Sequence, residues 1–245
     1  MRSLRRKRLM VYWVLIICAA IALVLYVREK IKAYSLKAVL IKSVVSALFI
    51  AVGVCGLHAS AANAGGNPIG VLIVMGLVCG LLGDIWLDLK YVFPEHDLPF
   101  TYAGFAVFGI GHVLYILGML IRFYQPDRMA YVLVPIALAV VLSVANAALE
   151  KPMKLDYGRM RPVVIAYGVL LFATMLVSGG LALSYGWQEP ALNLLFAGGI
   201  LFAASDLVLS GTYFGTGHER PIDFVINYFT YYPAQFLIAT ALIFA

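Results

Sequence analysis

The sequence predicts an all-α membrane protein, a bundle of eight transmembrane helices forming one integral membrane domain over residues 1–245. Three observations carry that prediction. Hydrophobic residues make up 63% of the chain and mean hydropathy is +0.95. Only 12% of residues are charged, against about 25% in an ordinary soluble domain. Apolar runs long enough to cross a bilayer, about 20 residues each, recur along the chain with turn-forming residues between them.

Eight segments meet the length requirement: 9–27, 37–57, 69–89, 100–121, 129–149, 162–184, 190–212 and 224–245. The first follows the basic cluster Arg2, Arg5, Arg6, Lys7 and Arg8, which reads as a juxtamembrane anchor to anionic lipid. No basic face continues elsewhere, so a nucleic-acid partner is excluded. The apolar run from Leu9 to Val27 exceeds the roughly 7–15 residues of a signal-peptide core and no small-x-small cleavage site follows, so it is expected to remain as a helix. Asn67-Pro68 precedes the third segment and Pro99 the fourth, while Pro162 and Pro190 open the sixth and seventh as first-turn prolines. Short connections imply antiparallel neighbours. Pro135 and Pro233 fall inside spans and should loosen the backbone there. Cys18, Cys55 and Cys79 are odd in number, lie in apolar runs and show no metal-ligand spacing.

Orientation is contested. Let side B be the side reached at the end of the first helix. Its loops hold Arg28, Lys30, Lys32, Lys37, Lys90, Lys151, Lys154, Arg159, Arg161 and Arg220, ten cations in all. The opposite side holds Arg122, Arg128 and the five of the N-terminal cluster. The loops place side B in the cytoplasm, whereas the terminal cluster would place itself there.

Asp84 and Asp206 dominate the functional reading. A carboxylate at the centre of a span costs roughly +2.5 to +3.5 kcal/mol on insertion scales, and this chain carries two. Each lies about six residues from the side-B end of its helix, Lys42 lies about five residues into the second helix from the same side, and His112 and Gln235 lie near mid-span. One polar pocket, open or nearly open to side B, accounts for that shared depth. Asp84 and Asp206 are 122 residues apart and His112 and Gln235 are 123 apart. Each pair occupies matching helices of a possible 4+4 internal repeat about an axis along the membrane normal.

Each residue has a plainer reading beside the functional one. Lys42 either snorkels to side B or pairs with a carboxylate or a substrate phosphate. Asp88, one helical turn beyond Asp84, reads as a solvated helix end. His112, with Tyr115 on the same stripe and Gly109 and Gly111 beside it, is either a satisfied core histidine or a ligand. Tyr228, Tyr231, Tyr232 and Gln235 share one face of the last helix. Ser205 and Ser210 are suited to bonding backbone carbonyls. No nucleophile–histidine–acid spacing and no phosphate loop is present. Asp84, Asp206 and His112 would be a sparse metal set, because hydrolytic zinc sites draw on several histidines and His58, His96 and His218 fall at loops. No metal and no cofactor is expected. Two carboxylates, one protonated and one ionised, are the economical arrangement for acid–base hydrolysis.

Four runs of residues resemble the YhhN family of membrane proteins, whose characterised animal members are lysoplasmalogenases. They are Leu82-Gly83-Asp84-Ile85-Trp86-Leu87, Phe108-Gly109-Ile110-Gly111-His112-Val113-Leu114-Tyr115, Gly199-Ile200-Leu201-Phe202-Ala203-Ala204-Ser205-Asp206 and Tyr232-Pro233-Ala234-Gln235-Phe236-Leu237-Ile238-Ala239. One departure is Ser43 after Lys42, where the family usually has proline. The resemblance implies hydrolysis of the vinyl ether bond of a lysophospholipid, lysoplasmalogen, to a fatty aldehyde and glycerophosphocholine or glycerophosphoethanolamine. Asp84 and Asp206 would then be the catalytic acid and base. Lys42, His112, Tyr115, Ser205, Tyr232 and Gln235 would bind substrate or position water. The enzyme would be a multi-pass protein among membrane lipids, in the cell membrane if the source is bacterial. Two rivals use the same residues. A proton-coupled transporter or carrier of a small amphiphile should show helices broken at corresponding places in both halves. A lipid-binding scaffold would bind lysolipid and release no aldehyde.

Overall fold

The computed structural model describes the backbone of residues 2–32, 34–64, 68–215 and 220–245, and side chains within 10–32, 34–60, 70–215 and 220–245. The N-terminal basic side chains, Asn67 and His218 lie outside the described side chains. Among the described residues the fold is all-helical with eight long helices: α1 (Arg2–Lys32), α2 (Leu36–Ala64), α3 (Pro68–Val92), α4 (Asp97–Phe123), α5 (Ala130–Ala148), α6 (Arg161–Ser184), α7 (Pro190–Phe214) and α8 (Pro221–Ala241). Short 3-10 turns at Pro94–His96, Pro126–Arg128 and Gly158–Met160 lead into α4, α5 and α6. Helices outrun the apolar segments because a helical turn persists into the interface once it is nucleated. Hydropathy marks only the part that suits lipid.

The helices from α1 to α7 are each long and apolar enough to cross a membrane. The eighth is less apolar because Asp223, Asn227, Tyr228, Tyr231, Tyr232 and Gln235 sit along it, all buried. Its polar face is turned to protein, so its average hydropathy understates how well it suits a bundle. Pro162 and Pro190 open α6 and α7 as expected. Pro99 does not precede α4 but lies in its first turn, where its missing N–H would have had no helical partner. His58, expected at a loop, is near the end of α2 and exposed.

Six helices close a ring in the order α2, α3, α4, α6, α7, α8 and back to α2. The first helix packs outside this ring on α2, and α5 packs outside it on α6. Only 22% of the apolar window of α1 and 17% of that of α5 is buried, which marks both as peripheral. The main pairings repeat between halves. The α1–α2, α2–α3 and α3–α4 contacts are matched by α5–α6, α6–α7 and α7–α8, and α2–α8 is matched by α6–α4. These pairings are the ones that a possible 4+4 repeat calls for. The connection between α5 and α6 folds back on the end of α7, with Leu155 bridging Gly215 and the Asp156 N–H donating to the Phe214 carbonyl at 2.8 Å. Leu155, Tyr157, Met160, Ala147 and Val164 form a small second core there.

Small residues set the helix spacing. A Cβ on Gly76 would lie 2.4 Å from the Tyr115 ring and 3.0 Å from the Gly111 carbonyl oxygen, so α3 and α4 meet nearly backbone to backbone. Pro135 leaves the Tyr131 carbonyl without its helical donor, and Gly180 of α6 comes in at that point. A Cβ on Gly180 would stand 2.3 Å from that oxygen. Gly180→Ala is therefore expected to destabilise the fold by about 1–3 kcal/mol through overpacking, seen as a lowered midpoint of thermal unfolding in detergent. An unchanged midpoint would contradict this packing of α5 on α6.

Candidate functional site

A cavity in the side-B half of the ring reaches past it to Asn146 of α5. It is lined by Lys42 from α2, Asp84 and Leu87 from α3, Phe105 and Phe108 from α4, and Val164, Tyr167 and Leu171 from α6. The wall continues with Asp206, Ser210 and Tyr213 from α7 and with Asn227, Tyr228 and Tyr231 from α8. The space open to the centres of water-sized molecules is about 80 Å³, enough for several waters, since one needs roughly 10–15 Å³ by that measure. The two aspartates, from helices far apart in sequence, thus line one chamber.

Their surroundings differ. Asp84 is 3% exposed. Its Oδ1 lies 3.2 Å from Lys42 Nζ, and its Oδ2 accepts from Ser46 Oγ at 2.6 Å and from the Tyr231 hydroxyl at 2.9 Å. Lys42 Nζ also donates to Asp88 Oδ1 at 3.3 Å. Asp88 accepts in addition from Lys30 Nζ at 2.9 Å and from the Tyr26 hydroxyl at 2.8 Å, and Tyr26 lies 2.8 Å from the Tyr228 hydroxyl. Lys30, Asp88, Lys42 and Asp84 therefore alternate in sign and sum to zero. Asp206 stands apart from them. Its Oδ2 accepts a hydrogen bond from the Tyr167 hydroxyl, and its Oδ1 lies 3.2 Å from Ser205 Oγ. Among the described residues no lysine, arginine or histidine pairs with it.

Two expectations from the sequence are corrected here. Asp88 is not a solvated helix end: it is 2% exposed and held by two lysines and a tyrosine. The open choice for Lys42 resolves to pairing rather than snorkelling, with both neighbouring acids as partners. Lys30, counted among the side-B loop cations, lies inside the bundle on α1 and is neutralised there.

The remaining predicted site residues form a second row behind the wall. The Tyr115 hydroxyl donates to Gln235 Oε1 at 3.1 Å and Gln235 Nε2 donates to the Tyr231 hydroxyl at 3.1 Å, so both reach Asp84 through Tyr231. Ser205 Oγ donates to the Phe202 carbonyl at 2.8 Å, and the backbone oxygen of Ser205 accepts from Asn227 Nδ2 at 2.8 Å. Tyr232 is buried against the rings of Phe49, Tyr228 and Tyr231. His112 is not on the cavity wall. Its Nδ1 lies 3.0 Å from Thr174 Oγ1, whose own proton goes to the Leu170 carbonyl at 2.9 Å. Nδ1 is therefore the donor, and the buried Nε2 is an acceptor without a partner among the described residues. Asp84, Asp206 and His112 do not gather as metal donors; among the described residues no three such side chains do.

Sequence reasoning missed Tyr167, Ser46, Tyr26 and Lys30. Ser46 had a signal, one turn from Lys42 on the same face. Tyr167, followed by Gly168 in an apolar span, had a faint one. Tyr26 and Lys30 had none, because nothing in the sequence says that α1 lies against α8.

Removing one member of the charge chain leaves a buried charge uncompensated. Lys42→Met is expected to cost about 3–5 kcal/mol, and the double variant Lys42→Met with Asp84→Asn should recover part of that loss. Thermal unfolding in detergent measures both. A single variant as stable as the parent would show that the chain is not held by these charges.

No curated protein and no solved structure matches the chain. A family model described as the YhhN family matches residues 37–242, so the match takes in every cavity residue and leaves out α1 with Tyr26 and Lys30. With seven apolar helices long enough to span a bilayer and that match over most of its length, the chain is an integral membrane protein belonging to the YhhN family.

Proposed function

We propose that this protein is a lysoplasmalogenase-like hydrolase, cleaving the vinyl ether bond of a lysophospholipid with its two cavity aspartates. One observation carries the reading: two carboxylates face one chamber, one balanced by Lys42 and one with hydroxyl partners alone. Membership of the YhhN family supports it at the coarser level of a lysoplasmalogenase-like membrane protein.

A vinyl ether is cleaved by protonating its outer carbon, which leaves an oxocarbenium ion that water attacks. Charge balance divides the labour. Asp206 has no cation beside it, so a low-dielectric site favours its neutral, acid form, and it is the proton donor. Tyr167 holds Oδ2, and Oδ1, which lies beside Ser205 Oγ, carries the proton to be given up. Asp84, kept anionic by Lys42, steadies the oxocarbenium ion and takes a proton from the attacking water. The resulting hemiacetal then collapses. Asp206, now ionised, accepts its hydroxyl proton, Asp84 returns its proton to the glycerol oxygen, and aldehyde leaves with both acids restored. Tyr231 orients Asp84, with Gln235 and Tyr115 acting through it. Lys42 tunes the acid rather than meeting a phosphate, since two carboxylates already share its charge. His112 and Tyr232 support the wall from behind, and Ser205 Oγ sits against Asp206 Oδ1.

The transporter reading has less support. Carriers commonly place their ionisable residues on broken helices, and here α3 and α7 run unbroken through Asp84 and Asp206. Proline lies inside α5 and α8, which do not correspond between halves.

Purified protein incubated with lysoplasmenyl lipid and with ester lysolipid side by side should release aldehyde from the first only. Asp84→Asn and Asp206→Asn should each lower turnover by about 10²-fold or more while the protein stays in the membrane. Near-parent turnover in both variants would rule the mechanism out. Tyr167→Phe should lower kcat by about tenfold with little change in KM, as expected for a group that orients the acid.

A further inference from the structure

The first helix reaches the charge chain from outside the family match, which begins at residue 37. Lys30 Nζ and the Tyr26 hydroxyl of α1 both donate to Asp88, at 2.9 and 2.8 Å. Lys30 is 5% exposed, an uncommon place for an ammonium group. Its Nζ stands 4.2 Å from the centre of the Tyr91 ring and 4.8 Å from that of Tyr34, and the two rings stack 4.5 Å apart. The tyrosine pair closes over the ammonium group and holds it against Asp88. Neither Lys30 nor Asp88 lines the chamber. The hydrolytic steps give this second ion pair no task.

Its effect on the site comes through Lys42, whose Nζ stands almost midway between Asp84 Oδ1 at 3.2 Å and Asp88 Oδ1 at 3.3 Å. One ammonium group balances one carboxylate. While Lys30 answers Asp88, the charge of Lys42 is left for Asp84. Without Lys30 the two acids, one turn apart on α3, share a single cation, and like charges that close do not both stay ionised in a low-dielectric site. The other neighbours do not supply the missing charge. Asp84 faces Ser46 of α2 and Tyr231 of α8, with Gln235 and, from α4, Tyr115 behind Tyr231. Asp88 faces Tyr26, which touches Tyr228. All of these are neutral hydroxyls and amides, which can accompany either form of a carboxyl group. Lys90, the next lysine of α3, is paired with Asp97 at 3.3 Å, and Asp206 on the same cavity is itself an acid.

We propose that Lys30 is a positioning residue for Asp84: by neutralising Asp88 it commits Lys42 to Asp84 and keeps that acid free to serve as the base, which makes α1 part of the working site. The role of Asp84 in this proposal rests on the hydrolase reading. The allotment of charge between the two lysines and the two acids does not.

Two variants of the full-length protein in lipid nanodiscs test it, each read by the infrared carbonyl stretch of protonated carboxyl groups and by aldehyde release from lysoplasmenyl lipid. In Lys30→Met a second protonated-acid band should join that of Asp206 at neutral pH, and turnover should fall about tenfold, less than on loss of Asp84 itself. In Lys30→Met with Asp88→Asn the cation and the acid it answers are both gone, so Lys42 and Asp84 balance again. The second band should then be absent and most of the turnover regained. A salt bridge needed only to hold α1 in place predicts the opposite, because the double variant has no bridge at all. A double variant as impaired as the single one overturns the proposal, as does Lys30→Met with parent turnover or without a second band. Where Lys30→Met fails to fold, the double variant decides alone: turnover near the parent with the Asp206 band only supports the proposal, and lost turnover overturns it. A parent protein that releases no aldehyde from any lysolipid removes the hydrolase reading. The bands then decide by themselves, a second band in the single variant that the double variant lacks leaving the charge allotment standing and its absence removing it.

Discussion

Four charges, two of each sign and drawn from three helices, are neutralised against one another inside the bundle. Lys30 of α1, Lys42 of α2, and Asp84 and Asp88 of α3 each cost several kcal/mol to bury alone. Linked as an alternating chain, they leave no net charge in a region that lipid surrounds. The arrangement fixes how α1, α2 and α3 sit, because a shift of one helix by a single residue would carry its charge away from its partner. Tyr26 extends the constraint to α8 through Tyr228. One side of the cavity is thereby rigid and electrically closed.

The other side is open in the same sense. The seventh helix brings Asp206 to the same cavity, and among the described residues no cation pairs with it, although the helix pairings of the two halves match. In the first half Lys42 of α2 answers Asp84 of α3. The corresponding helix in the second half, α6, brings Tyr167 and its hydroxyl to Asp206. Unlike partners on α2 and α6 give the two cavity acids different surroundings. A proton donor and a stabilising base require that difference.

Much of this was legible in the chain before any coordinates. Asp84 and Asp206 stand out because an acid in an apolar run is rare enough to be noticed, and the stripe from Tyr228 to Gln235 follows helical spacing. The prolines at the starts of α6 and α7 mark those ends cleanly. Other features were hidden for one reason: hydropathy reports how far a charge lies from the middle of an apolar run, not what it meets. Asp88 and Lys30 lie near helix ends and so read as solvated, yet they are partners to each other across 58 positions of sequence. The eighth helix is long enough to be picked out as a span, yet its buried polar residues lower its hydropathy below that of the other seven. The roles of His112 and Tyr232 depended on which side of a wall they occupied, and spacing along one helix carries no such information.

The central claim is that charge pairing divides the two cavity aspartates into one ionised and one protonated acid. Infrared difference spectroscopy of the purified protein in lipid reads this directly through the carbonyl stretch of a protonated carboxyl group. The account predicts a protonated-acid band at neutral pH that disappears in Asp206→Asn and persists in Asp84→Asn. A band that follows Asp84 instead, or no protonated-acid band at all, would contradict it.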